Sequence, residues 1–294
     1  MKFNIDFVSK FPVAVIFSGV MILASIGIFF GKGLNYGVDF TGGAEIQLSF
    51  EKEIGLPAIR DAFTSGEFKS VQAQSYGEDG NSYLIKVNAG EKDLNALTDK
   101  IIKLMNTNFA EYGPTVDKTD IVGPKAGEQL RISGFQAMAW ALLMIMIYIA
   151  LRFDYKYSPG AIVALIHDVL IVIGIFILTG TEFSLQVVGA LLAVIGYSVN
   201  DTVVVYDRVR EHEEKSPTTD IKKLINKALN ETLTRTMLTS ITTLMVALVM
   251  FFMGVDGIHS FFFAIWFGVF IGTYSSVFVA APTILFFDKF IQDK

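Results

Sequence analysis

Long apolar blocks alternate with polar stretches along this chain, and their spacing predicts most of its architecture. The blocks run near Phe11–Phe30, Ser133–Leu151, Pro159–Thr179, Phe183–Tyr206, Thr236–Val255 and Ser260–Phe287. Each is about 19 residues or more, the length a helix needs to cross a hydrocarbon core of roughly 30 Å. The first block follows Lys2 and Lys10, as a secretory leader would. Its apolar run is longer than a leader's, however, and it ends on Phe29 and Phe30 rather than on a small-x-small cleavage site. It therefore reads as an uncleaved anchor.

The stretch Gly31–Arg131 has other periods. Ala44–Phe50 alternates as a strand does, and Leu56–Thr64 reads as a helix with Pro57 in its first turn. Val71–Tyr76 and Ser82–Val87 are strands around the turn residues Gly77 to Asn81. Leu94–Phe109 carries Leu94, Leu97, Ile101, Leu104 and Met105 at helical spacing. Val116–Val122 is a last strand, stopped by Gly123-Pro124. The order βαββαβ is the ferredoxin-like pattern, with another small α+β topology as the alternative. The predicted fold is thus a six-span helical membrane protein with an α+β domain inserted between spans 1 and 2. Residues 1–30 hold the N-terminus and first span, 31–131 the insertion, and 132–294 the other five spans with a cytoplasmic loop near 207–235.

Composition agrees with the membrane reading. Hydrophobic residues make up 52% of the 294 positions and charged residues 18%, and the mean hydropathy is +0.50. A net charge of −5 argues against nucleic acid as a partner. The absence of cysteine excludes disulfides, zinc–thiolate sites and thiol catalysis. Charge also predicts sidedness. Arg152 and Lys156 follow the second span, and Arg208, Arg210, Lys215, Lys222, Lys223 and Lys227 follow the fourth. The links Gly180–Glu182 and Asp256–His259 carry no Lys or Arg. Both termini and the basic loops are expected on the cytoplasmic side and residues 31–131 on the other. Glu182, Asp256 and His259 are expected to be exposed turn residues.

Candidate chemistry lies inside the spans. Asp201, preceded by Asn200, interrupts a run that is mostly Leu, Val, Ile, Ala and Gly. An ionisable group at membrane depth is costly and marks a functional site by default. His167 and Asp168 sit about 9 residues into the third span, roughly 13 Å from its start, and Asp201 is at a similar depth on the next helix. In the fifth span Arg235, Thr239 and Thr242 share one face, and Thr236, Ser240 and Thr243 share another. Gly189, Ala193, Gly196 and Asn200 recur at helical spacing in the fourth span, and the sixth has Gly268 and Gly272. Such small residues let helices approach closely. The functional reading is a proton relay through Asp201, Arg235, Asp168, Asn200 and Thr239. The bland alternative is that these groups only glue the bundle, that Arg235 snorkels, and that Asp207-Arg208 is a solvated pair.

Four motifs then resemble one family. GVDFTGG at Gly37–Gly43, RFDYKYSPGAIVALIHD at Arg152–Asp168, IGYSVNDTVVVYDRVRE at Ile195–Glu211 and LTRT at Leu233–Thr236 are similar to the SecD/SecF family of bacterial protein-export membrane components, within the RND superfamily, and the third motif to its SecF branch. The resemblance spans nearly the whole chain; Tyr206 stands where Phe is common. It implies a six-helix half-bundle paired with SecD in the bacterial inner membrane, associated with the SecYEG channel and a translocating preprotein. It implies export driven by the proton motive force, with sodium as the coupling ion in some marine forms, and no cofactor or enzymatic activity. Asp201 falls on the family's proton-pathway aspartate and Arg235 on its fifth-span motif arginine; Gly37, Asp39, Gly42, Gly43, Asp207 and Arg208 fall on other motif positions. The alternatives are a half-transporter for small hydrophobic molecules, a non-conducting scaffold of the translocase, and an intramembrane aspartyl protease. The last is disfavoured because the aspartates sit in HD and ND pairs.

Overall fold

A computed structural model describes residues 4–65, 71–75, 80–88, 94–153, 156–254 and 256–292. Six of its helices, one of them broken by a π-turn, are long and apolar enough to cross a membrane. They are α1 (Phe11–Lys32), α5 (Pro124–Arg152), α6 (Ser158–Thr179), α7 (Leu185–Lys215), α8 (Ile221–Met253) and α9 (His259–Ser275), which continues through a π-helical turn at Ser276–Ala280 into α10 (Ala281–Gln292). Proline in the first turn starts α1, α5 and α6, where a missing N–H costs nothing. Glycines with positive φ stop two of them: Gly33 (φ +72°) after α1 and Gly180 (φ +70°, left-handed) after α6.

Three helices outrun their apolar blocks. The expected loop near 207–235 is helical except for 216–220. Hydropathy marks only what lipid surrounds. Here the polar extensions of α7 and α8 bury Val209 and His212 with Leu224, Ile225, Ala228 and Leu229. Ion pairs Arg208–Glu211, Arg210–Glu214 and Lys215–Glu211, at helical spacing, support the extension of α7. Asp220 caps α8 by accepting the Lys222 N–H at 2.9 Å. Likewise α5 begins at Pro124, nine residues before its apolar run, because α2 (Val38–Thr41) packs against its first turns.

The insertion is β1 (Gly43–Ser49), α3 (Leu56–Ser65), β2 (Val71–Ser75), β3 (Ser82–Asn88), α4 (Leu94–Asn108) and β4 (Thr115–Val122). Its sheet has the order β2-β3-β1-β4 with every neighbour antiparallel, which is the ferredoxin-like arrangement. Ile46 faces Ile85 across β1 and β3 and shares a core with Leu48, Phe50, Ile59, Phe63, Ile101 and Met105. Of the expected turn Gly77 to Asn81, positions 77–79 lie outside the described residues; Gly80 has φ +67°.

Glu182, expected to be exposed, is only 9% exposed. It lies under the insertion, where Lys86 on β3 bonds both its carboxylate oxygens at 3.1–3.2 Å and also reaches Glu45 at 3.7 Å. The correction has a plain cause: the insertion sits on the α6–α7 link. Asn35 and Tyr36 dock on the same link, through Asn35 Nδ2 to the Gly180 carbonyl (2.9 Å), Phe183 N–H to the Asn35 carbonyl (2.7 Å) and a β-bridge between Tyr36 and Phe183. His259 does stand exposed and stacks on Phe251 at 3.9 Å.

Burial pushes the Glu45 carboxyl above its usual range; Lys86 pulls it back, while Asp39, Glu182 and Asp120 push it up again. Removing Lys86 leaves two crowded carboxylates at a shielded junction, at a cost of roughly 3 kcal/mol. Lys86→Met is therefore expected to loosen the insertion from the helices, read as faster proteolysis of 31–131. A raised carboxyl pKa gives stability that is complete below the ordinary 4.5 and is lost as pH rises through the raised value. The defect should accordingly be mild near pH 4 and full at neutral pH. A pH-independent defect counts against the pairing.

Candidate intramembrane site

Asp168, on α6 and 1% exposed, is the centre of a hydrogen-bonded knot. Its Oδ2 accepts from Ser198 Oγ on α7 (2.5 Å) and from Ser275 Oγ on α9 (2.8 Å). Its Oδ1 lies 2.9 Å from His167 Nδ1. One carboxylate thus ties three spans. Gly272 makes room for it: a Cβ there would stand 3.1 Å from the Ser198 Cβ and 3.6 Å from Asp168 Oδ2. With Nδ1–H donated to the carboxylate, His167 presents a bare Nε2, and no partner meets that buried atom among the described residues. The ring stacks on Tyr274, whose hydroxyl lies 3.0 Å from Ser18 Oγ and donates to the Ala14 carbonyl on α1.

Asp201 lies one helical turn beyond Ser198, so it shares the inward face of α7. It is 2% exposed, and its Oδ2 has no hydrogen-bond partner among the described residues. Arg235 on α8 is the charged side chain whose field acts on it. The two aspartates, at similar depth, therefore differ in kind. Asp168 accepts from three donors; Asp201 is buried with an oxygen left open and makes no ion pair with Arg235 among the described residues.

The fifth span turns its two polar stripes to different surroundings. Thr236 and Ser240 face inward, and Ser240 bonds Thr273 (2.7 Å) and receives the Tyr197 hydroxyl (3.3 Å). Arg235 and Thr242 stand on the chain's outer surface, and Thr239 spends its hydroxyl on the carbonyls of Arg235 and Thr236. Asn200 is exposed as well, beside Gly189 and Gly196, where an added Cβ would meet nothing within 4 Å. Close helix approach comes instead from the sixth span, where Gly268 lies against Val194 and Gly272 against Ser198.

The remaining motif residues hold the frame. Asp39 Oδ2 accepts the Leu185 N–H at 3.1 Å and so caps α7, whose own N-cap residue Ser184 makes no side-chain cap bond. A Cβ on Gly37 would collide with Glu182. One on Gly42 (φ +77°) would lie 2.7 Å from the Pro124 Cα. Gly43 opens β1, between β3 and β4. Asp207 and Arg208 do not pair with each other: Asp207 reaches Arg152 at 3.3 Å, and Arg208 reaches Glu231 at 2.5 Å. Tyr206 is fully buried and donates to the Ala280 carbonyl in the π-turn at 3.0 Å, so its hydroxyl has work that Phe could not do. Sequence reasoning missed Ser198 and Ser275, whereas Gly272 was expected as a close-packing glycine and is one. Only for Ser198 was there a signal, three residues before Asp201 on the same face.

This geometry separates stability from charge. Asp168→Ala breaks three hydrogen bonds, each worth about 0.6 kcal/mol in a membrane bundle, and should lower unfolding stability in detergent by about 2 kcal/mol. Asp201→Asn breaks none at Oδ2 and should stay within about 0.5 kcal/mol of the parent. Equal losses for both substitutions would overturn the distinction.

The family model described as "Protein export membrane protein SecD/SecF, C-terminal" matches residues 102–289, and the SecD/SecF GG motif matches residues 27–54. The protein translocase subunit SecF of Rhodothermus marinus is 41% identical over 288 residues, 96% of this chain and 92% of that one. The crystal structure of SecDF, a translocon-associated membrane protein from Thermus thermophilus, superposes with a TM-score of 0.82 at 32% identity, over 97% of this chain. SecDF in its super-membrane-facing form gives 0.76 at 31% identity, over 100% of this chain. The chain spans about two-fifths of those SecDF chains (39% and 40%). The Rhodothermus marinus relative is named as a translocase subunit, not as an enzyme. With its six spans, its inserted ferredoxin-like domain and these matches, the chain is a multi-pass membrane protein that belongs to the SecD/SecF family.

Proposed function

We propose that the chain serves as the SecF subunit of the protein-export translocase, where it works with SecD and uses the proton motive force to promote the late passage of preproteins through the SecYEG channel. The observation that carries this reading is Asp201, a buried carboxylate with an unpartnered oxygen beside an arginine on the chain's outer surface. Such a group is half of a site. Arg235, Thr242, Asn200 and the unfilled faces of Gly189 and Gly196 lie where a second helical bundle would complete it. A polar stripe of this kind is costly against lipid and cheap against another polar helix. We assign that second bundle to SecD.

In this scheme Asp201 loads and releases the proton and Arg235 favours its charged state. Proton movement across 100 mV supplies about 2.3 kcal/mol per charge. Asp168 holds α6, α7 and α9 in register around the route, and the bare His167 Nε2 gives it a second atom able to take a proton. Sodium is the alternative coupling ion. The N-terminus and basic loops lie on the cytoplasmic side of the inner membrane, and residues 31–131 meet the emerging preprotein on the other side.

Asp201→Asn should leave the complex with SecD intact and abolish the gradient-dependent part of export in inverted vesicles. Normal gradient-driven export by that variant removes Asp201 from the coupling. Loss of SecD from the purified complex instead favours a scaffold role.

A further inference from the structure

The first two turns of α8 carry three lysines that no ion pair offsets among the described residues. A helix prefers acidic residues in its first turn, where the dipole is positive. Here that turn has no acidic residue and holds Lys222 and Lys223, with Lys227 one turn on from Lys223. None of the three makes an ion pair among the described residues. By contrast, Arg152, Lys156, Arg208, Arg210 and Lys215 at the same end of the bundle are each matched to a carboxylate.

The three lysines line a cleft between α8 and the N-terminal segment. Asn226 and Asn230 build its wall. Their side-chain oxygens accept the Phe7 and Ile5 N–H groups, each at 2.8 Å, and their amides donate to the Ile5 carbonyl. Four cations face the cleft, Arg208 among them, against the two carboxylates Asp6 and Glu231. Glu231 is already engaged by Arg208 and His212, and Asp6 accepts the Ser9 N–H. The lining is therefore net positive. Val8 also lines the cleft, and α1 begins three residues later as the least buried of the spans, with Val13 and Ile16 exposed. Fixed positive charge thus stands at the end of an exposed apolar span, where the headgroups of a bilayer around that span would meet it.

We propose that this cleft binds the phosphate headgroup of an anionic phospholipid, held by Lys222, Lys223 and Lys227. The site does not depend on which side of the membrane the cleft faces, nor on proton coupling. Each lysine near an anionic surface contributes a factor of roughly five, so the three together give about a hundredfold.

The test is retention of lipid by the full chain, purified in detergent and titrated with dioleoyl phosphatidylglycerol under native mass spectrometry. The parent should retain phosphatidylglycerol in preference to phosphatidylcholine with the same acyl chains. The K222Q/K223Q/K227Q variant should need about a hundredfold more for equal occupancy, and the matching triple arginine variant should behave as the parent. Neutralising Arg152, Arg210 and Lys215 together alters net charge equally but should leave retention unchanged. The proposal fails if both neutralised variants lose lipid alike, or if phosphatidylcholine is retained as well. It also fails if inorganic phosphate at equal concentration displaces the lipid, which marks a site for soluble anions.

Discussion

The carboxylate of Asp168 is the constraint on which the bundle turns. A buried polar group in an apolar interior must find partners or lose several kcal/mol. Asp168 finds them on two other spans, Ser198 on α7 and Ser275 on α9, with its neighbour His167 as the third. Each of those bonds specifies a rotation and a depth for the helix that supplies it. Apolar packing alone is less exacting, since Leu and Val side chains accept many registers. Gly272 and Gly268 then let α9 approach α7 closely enough for the bonds to form.

From that knot a rigid path leads to the insertion. Ser198 and Asp201 lie on α7, and Asp39 of the glycine motif caps the first turn of the same helix. From Leu185 to Asp201 an unbroken helix runs about 24 Å. The link before α7 carries Glu182, held by Lys86 of the insertion's sheet. A tilt of the insertion therefore acts on the end of the helix that bears Asp201. The π-turn at Ser276–Ala280 lies between Ser275, bonded to Asp168, and Ala280, bonded to Tyr206. Such turns loosen the helical ladder locally and frequently occur at functional sites.

The insertion was legible almost to the residue. Strand alternation at Ala44–Phe50 and the helical spacing of Ile101, Leu104 and Met105 depend on local burial against one small core, and that core formed as the periods required. The polar ends of α5, α7 and α8 were not legible. The segments 207–215 and 221–235 are polar in composition, and they are helical because Val209 shares a core with Ile225, Ala228 and Leu229, and His212 bonds Glu231 across the turn. Hydropathy records transfer to lipid and is silent about two amphipathic helices that shelter each other.

The sequence by itself determined which segments are apolar enough to cross a membrane, which domain is inserted and which polar residues are costly to bury, because each of these follows from the free energy of moving a side chain out of water. Only the tertiary structure decided which costly groups are satisfied. Asp168 and Asp201 look alike as letters, yet one accepts from two serines on other helices and the other keeps an oxygen open. Glu182 looked like a surface turn until the insertion came down on it. Partners from distant positions make that difference, and hydrogen bonds are too short in range and too directional to be foreseen from composition or period.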